Sequence, residues 1–362
     1  MGNLINPGNV GFAREIAKGS YVDKTGLISL TNSAVNDPHG MYVCVSRPRR
    51  FGKTTAANML CAYYQRGCDS RDLFEGLEAS RDPSFGEHLG RYDVVRLDMA
   101  KLGSQIHDTQ GLIGAVSSLA MADIRVAYRD HPDYEDIIRP QTEIALWAVL
   151  NTVWQLTGVP YVFVIDEWDW PFRRFPDDRE GLHRYLEFLS GLLKDADYLA
   201  LAFMTGILPV KTYGDESVLN MFRSVGITST REYAPYTGFT EAEVRALCER
   251  HGMDFAQAKA WYDGYRVPER TASGEAPSML SVYNPNSVTQ AMAIGEYGTY
   301  WTNTQLCERL QSYINLNLAA LKDLVAELMA GGRVEVNMRS YPYRIVDLPS
   351  ADAALALLVH LG

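Results

Sequence analysis

Short apolar runs punctuate the first 210 residues of the chain. Residues 41–46 (MYVCVS), 93–99 (DVVRLDM), 161–165 (YVFVI) and 198–204 (YLALAFM) are rich in β-branched or aromatic side chains, and a weaker run lies near 225–228. Runs with so little polar alternation suit strands covered on both faces of a parallel sheet. Between them, apolar positions with helical spacing predict helices over 54–65, 111–128, 142–157 and 181–195. Strand alternating with helix predicts a layered α/β domain.

The texture changes after Tyr236. Thr240-Glu241-Ala242-Glu243 reads as an N-cap followed by an acidic first turn, opening a helix to about His251. Further helices are expected at 254–262, 286–294 and 304–329, and the Pro-, Gly- and Ser-rich stretch 267–281 is expected to be an exposed loop. A boundary near 236 therefore divides an α/β domain (1–236) from a mainly helical one (237–345). Residues 346–362 end in the apolar ADAALALLVHLG, which needs a cover: either it docks on the helical part or it leads into a further module.

Composition narrows the class. Hydrophobic residues make up 47% and charged residues 22%, the balance of an ordinary globular protein, which excludes long disorder and fibrous repeats. No apolar run reaches the roughly 18 residues of a membrane helix. The N-terminus lacks a basic stretch followed by an apolar core, so a cytoplasmic location is expected. The formal net charge of −10 argues against binding nucleic acid over a broad surface. Five cysteines are scattered, with no C-x-x-C pair, so neither structural zinc nor a disulfide framework is expected.

The sharpest chemical signal is Ser46-Arg47-Pro48-Arg49-Arg50-Phe51-Gly52-Lys53-Thr54-Thr55, between the first strand and a helix. Gly52, Lys53 and Thr54 match the end of the phosphate-binding loop pattern, while Arg47 replaces its first glycine. Gly52 lets backbone N–H groups approach an anion at a helix N-terminus. Lys53 would meet the β- and γ-phosphates, and Thr54 would ligate Mg²⁺. Arg49, Arg50, Phe51 and Thr55 complete the expected nucleotide-binding loop. Read alone, the same segment is a basic surface turn.

A second signal stands about 110 residues further on, where an apolar strand delivers Asp166 and Glu167 at its end. Asp166 is expected to orient Mg²⁺ and Glu167 to polarise an attacking water. Without the loop, the pair is only a strand running into an acidic turn. Thr205, closing the fourth run, is the expected polar residue beside the γ-phosphate, or a turn residue ending a strand.

In order along the chain stand Tyr21-Val22-Asp23-Lys24-Thr25, SRPRRFGKTT, VIDEWDWPF, FMTGIL, TGFTEAEV, Trp261-Tyr262-Asp263-Gly264-Tyr265, Tyr283-Asn284-Pro285 with Ser287, and Tyr300-Trp301 with Asn303-Thr304. This series resembles the prokaryotic AAA-ATPase-like family, whose longer members often carry a C-terminal PD-(D/E)XK nuclease-like domain. The resemblance implies a P-loop NTPase of the ASCE/AAA-like type, with a parallel sheet sandwiched by helices and then a helical lid expected to fold over the nucleotide. It also implies ATP and Mg²⁺ as cofactors. Arg47 is no departure within that family, whereas Trp168 and Trp170 stand where its members usually have smaller or less aromatic residues. The nuclease-like module is not expected within this sequence, because the fourteen residues after Leu348 contain no Asp…Glu-x-Lys arrangement.

The function these residues predict is an ATP-binding, Mg²⁺-dependent ATPase that couples nucleotide state to a protein partner or to a C-terminal effector domain outside this chain. The alternative is a nucleotide-binding switch or interaction scaffold with little hydrolysis. Tyr21, Asp23 and Lys24 are candidates for the pocket wall, or a packing turn. The aromatic residues after 260 read as core, since few basic residues accompany them. Arg223 reads as a surface cation or an arginine finger, and His183, His251 and His360 as lone histidines.

Overall fold

The structure is a computed structural model that describes residues 2–133, 145–210, 218–227, 230–269, 278–300, 321–337 and 350–361. Trp301 and the expected helix starts at Thr142 and Thr304 lie outside the described residues. The chain divides into two compact units. The first comprises Met1–Val45, Lys53–Gly206 and Glu216–Ser224; the second comprises Ser46–Gly52, Ile207–Asp215 and Val225–Gly362.

A five-stranded sheet carries the α/β part, with β1 (Tyr42–Ser46), β2 (Asp93–Asp98), β3 (Tyr161–Asp166), β4 (Leu199–Gly206) and β5 (Arg223–Val225). Its order is β2-β3-β4-β1-β5, so β4 lies between the strand leading into the Gly52-Lys53 turn and the strand ending in Asp166. β2, β3 and β4 run parallel, with Asp98 opposite Asp166 and Ile165 opposite Met204. Every residue of β1, β3 and β4 is buried, which is why these strands read as continuous apolar runs. The expected α/β layering is present, with the helices Lys53–Tyr64, Thr109–Ala127, Leu146–Thr157 and Arg179–Leu193 between the strands.

Two features escaped the sequence pattern. The short helices Val10–Ile16 and Leu27–Ala34 precede β1. The extreme N-terminus also covers the edge of β2. The Arg96 amide donates to the Leu4 carbonyl at 2.7 Å, the Asn6 amide to the Val94 carbonyl at 2.8 Å, and Ile5 bridges Val95 in antiparallel fashion. An edge so covered offers no template to another chain. Asp123 fixes this segment, because its buried carboxylate accepts from the amides of Leu4 and Ile5 and from the Asn3 side chain.

The second unit mixes helix and sheet. Thr240 and Glu243 form a reciprocal capping box on the helix Glu241–His251, as its sequence predicts. The helices Phe255–Tyr262 and Pro285–Ile294 also form near their expected bounds. The stretch 267–281 departs from expectation. Its described ends belong to β7 (Asp263–Glu269) and β8 (Ser278–Tyr283), which pair antiparallel in a sheet of order β6-β8-β7, with β6 at Phe239–Thr240. Pro268 suggested a loop, but β7 is an edge strand, where a residue without an N–H is tolerated. Val267 and Val282 supply the inward side chains, packed with Phe51, Ile227 and Ala234.

Asp123→Ala should free the N-terminal segment and leave two buried amides without acceptors. The expected loss is about 2–4 kcal/mol in chemical denaturation, given hydrogen bonds to a charged acceptor. Hydrogen exchange at Leu4 and Ile5 should quicken before that of β3. Unchanged protection of these two amides would show that the strand pairing alone holds the segment.

Candidate functional site

The loop after β1 turns sharply. Gly52 adopts φ +81°, in the left-handed region that costs an L-residue roughly 1–2 kcal/mol, and Arg50 also has positive φ. Lys53 then opens the helix Lys53–Tyr64. Its side chain is buried, and burial lowers its pKa to about 8 against the opposing pull of Glu167, Asp169 and Asp166. Thr54 is exposed, and its hydroxyl donates to Asp166 Oδ2 at 2.7 Å. Thr55 points elsewhere, toward Glu15 Oε2 at 3.5 Å.

Arg47 does not enlarge the basic surface of the loop. It is buried; Nε donates to Thr237 Oγ1 at 2.8 Å, and Nη1 donates to the carbonyls of Ser46 and Val225. A glycine here would delete these bonds, so the departure from the phosphate-loop pattern has a structural cause. Phe51, expected near the nucleotide, buries its ring in the core of the second unit, edge-on to Tyr265 at 5.3 Å. Only the Phe51 backbone remains for a ligand. Arg49 is half-buried, and Arg50 is exposed and donates to the Tyr300 carbonyl at 3.3 Å.

Asp166, the last residue of β3, accepts side-chain hydrogen bonds from three separate elements. Thr205 Oγ1 donates to Oδ1, while Thr54 Oγ1 and Arg96 Nη2 both donate to Oδ2, Arg96 at 3.1 Å. Burial alone would raise its pKa; Arg96 and the hydroxyls of Thr205 and Thr54 outweigh burial and hold the carboxylate below its usual range. The helix Lys53–Tyr64 and the strands β2, β3 and β4 therefore converge on one carboxylate. Hydroxyl and carboxylate oxygens are hard donors of the kind Mg²⁺ takes alongside phosphate oxygens and water, so Thr54 and Asp166 fit that ion. Among the described residues no cluster of three His, Cys, Asp or Glu offers another metal site.

Glu167 lies just past β3 with φ +52°, so the chain turns there and its side chain leaves the strand alternation. Its carboxylate pairs with Arg173, whose Nε also meets Asp169 Oδ2 at 3.2 Å. Trp168 is fully buried beside Gly206, where a Cβ would come within 2.6 Å of the indole. Glycine at the end of β4 is thus required by the tryptophan after the two acids.

Other candidates fall into structural roles. Asp23 accepts from Thr25 and from the Glu78 amide, closing a turn. His183 lies beside Glu187 on an exposed helix face. His360 is buried, and burial together with Arg47 lowers its pKa to about 4. Tyr265 and Tyr283 pack inward, as a core reading expects, while Trp261 is about half exposed. Sequence reasoning passed over Arg96, Arg173 and Asp169. The one local signal was spacing: Asp169 and Arg173 stand one helical turn apart just after Glu167.

The arrangement places a helix N-terminus and a lysine beside a hydroxyl–carboxylate pair of the kind that fits Mg²⁺. Residues 11–214 match the sequence model of the family described as "Predicted AAA-ATPase". That match spans more than half of the chain, and the chain belongs to this family. It is a P-loop ATPase-like protein with a mixed α/β fold and a parallel sheet flanked by helices. Among solved structures, the chain is similar to the Walker-type ATPase PABY2304 of Pyrococcus abyssi, with 13% identity, 84% of this chain and 74% of that chain covered, and a TM-score of 0.39. No curated protein matches it. Among the described residues no helix is long and apolar enough to cross a membrane.

Arg47→Gly, which restores the usual first glycine, should destabilise the protein by about 2–4 kcal/mol, because a buried charged side chain and its hydrogen bonds are lost together. Thermal melting checks this. A variant as stable as the parent would reduce the Arg47 bonds to incidental contacts.

Proposed function

We propose that this chain binds ATP with Mg²⁺ through the loop 49–55 and hydrolyses it, coupling the nucleotide state to a partner protein or domain. The observation that carries the reading is the convergence of Thr54, Asp166 and Thr205, from three separate segments, next to Lys53. In this reading Lys53 binds the β- and γ-phosphates, and the Gly52–Thr54 backbone supplies N–H donors at the helix N-terminus. Thr54 and Asp166 hold Mg²⁺, which when bound offsets phosphate charge. Thr205 orients Asp166 from the neighbouring strand. Glu167 accepts the proton of the attacking water after leaving Arg173.

A second reading rests on the Glu167–Arg173 pair. If that pair persists with nucleotide bound, no carboxylate is available to the water, and the protein acts as a nucleotide-binding switch with little turnover.

Titration with a fluorescent ATP analogue, with and without Mg²⁺, tests binding. Lys53→Ala should weaken affinity about ten- to hundredfold, the range for one charge-assisted contact. The parent should also show a pH dependence of definite sign. Phosphate favours protonated Lys53, whose pKa in the free protein is about 8. Affinity should therefore be level below pH 8 and fall above it by up to about tenfold per pH unit, with proton uptake on binding. Affinity that does not change between pH 7 and 9.5 would remove Lys53 from the phosphate site.

Glu167→Gln separates the two readings. As a general base it should be needed for turnover: the variant should bind ATP normally and slow single-turnover hydrolysis about 10²-fold or more. As a structural partner of Arg173 it should instead lower the melting temperature and leave a slow parent rate unchanged.

A further inference from the structure

Arg96 sits on β2 opposite Val164, two residues before Asp98, and Asp98 is opposite Asp166. Strand alternation puts Arg96 and Asp98 on the same face of the sheet. The Arg96 side chain is nine-tenths buried. Nη2 donates to Asp166 Oδ2, the same oxygen that accepts from Thr54. Nη1 is buried and has no hydrogen-bond partner among the described residues. A permanent structural ion pair would be expected to satisfy its remaining donors, because an unmet buried donor costs free energy.

Beside this guanidinium lies a cavity of about 590 Å³. Thr54, Asn58, Cys61, Arg96, Asp98 and Lys101 form part of its wall. Arg96 feels the charge of Asp98 as well as that of Asp166. The Asp98 carboxylate is half-buried and accepts from the Lys101 amide at 3.0 Å. Arg96 thus has two carboxylates at the ends of neighbouring strands, an unused donor, and open space to move through.

We propose that Arg96 is a positioning residue that acts as the counter-ion of Asp166 while no divalent cation is bound, and transfers to Asp98 when a cation arrives with the nucleotide. The proposal rests on the reading of Thr54 and Asp166 as the metal-holding pair. Arg96 keeps a buried carboxylate neutralised in the empty protein, so Asp166 does not attract a cation by itself. It also opposes a second positive charge at Thr54 until the negative charge of a triphosphate offsets it. Cation and nucleotide then enter together. Arg96→Gln keeps a donor for Asp166 and removes the charge, whereas Arg96→Lys keeps the charge.

The test uses Mn²⁺ as the probe, titrated into nucleotide-free protein and followed by electron paramagnetic resonance. Arg96→Gln should bind Mn²⁺ at least tenfold more tightly than the parent. Arg96→Lys should behave as the parent does, and Thr54→Ala in the Gln background should abolish the gain. Asp98→Asn, which removes the second carboxylate, should raise the Mg²⁺ concentration needed for ATP binding severalfold. Equal Mn²⁺ affinity in parent and Arg96→Gln overturns the proposal. So does micromolar Mn²⁺ binding by the nucleotide-free parent, a result that needs no variant to fold. Failure of the parent to bind ATP would instead overturn the proposed function, and the Mn²⁺ measurements would still decide the role of Arg96.

Discussion

A buried carboxylate at the end of a parallel strand is the constraint around which the site is built. Asp166 is almost wholly removed from water. An isolated charge in that position would be neutralised by protonation rather than tolerated. It remains a carboxylate because Arg96, Thr54 and Thr205 surround it with one cation and two hydroxyls. Each of these groups comes from a different element, so the order β2-β3-β4-β1 is itself a requirement of the site. With β4 between β1 and β3, Thr205 lies next to Asp166, while the helix that follows β1 supplies Thr54.

The same logic extends one turn further. Asp166, Glu167 and Asp169 are three carboxylates within a few residues of each other, and Lys53, Arg96 and Arg173 are the cations that face them. The charges balance formally without any ligand. A bound polyphosphate with its cation must disturb that balance, and the groups with alternative partners are the ones able to respond. Arg173 bridges Glu167 and Asp169, and Arg96 lies within reach of Asp166 and Asp98. Lys53 differs: burial lowers its pKa to about 8, so it is still mostly protonated at neutral pH but loses its charge under mildly alkaline conditions.

The loop before Lys53 departs from the phosphate-loop pattern for reasons that lie in its own packing. The first glycine of a phosphate loop relieves a tight turn, but here Arg47 occupies that position and bonds to Ser46, Val225 and Thr237. Phe51 likewise turns its ring into a core made with Val267 and Val282. In the proposed nucleotide site the loop offers backbone, with Gly52 in the left-handed region, together with Lys53 and Thr54.

Local chemistry made much of this legible. The buried strands announced themselves as apolar runs because both faces are covered, and their ends fell within one or two residues of expectation. Gly52-Lys53-Thr54 and Asp166-Glu167 were readable because their residue types sit together in sequence. The N-cap at Thr240 was readable for the same reason. What the sequence could not specify is who stands beside whom across the sheet. Arg96 is 70 residues from Asp166 and Thr205 is 39 residues away. Their meeting depends on strand order and register, which no short window contains. The β7–β8 pair was lost because Pro268 signals a break until β7 is known to be an edge. The sequence determined the elements and the types of chemical group at their ends. The tertiary structure decided which charges neutralise one another, because electrostatic pairing depends on distance in space and not on separation along the chain.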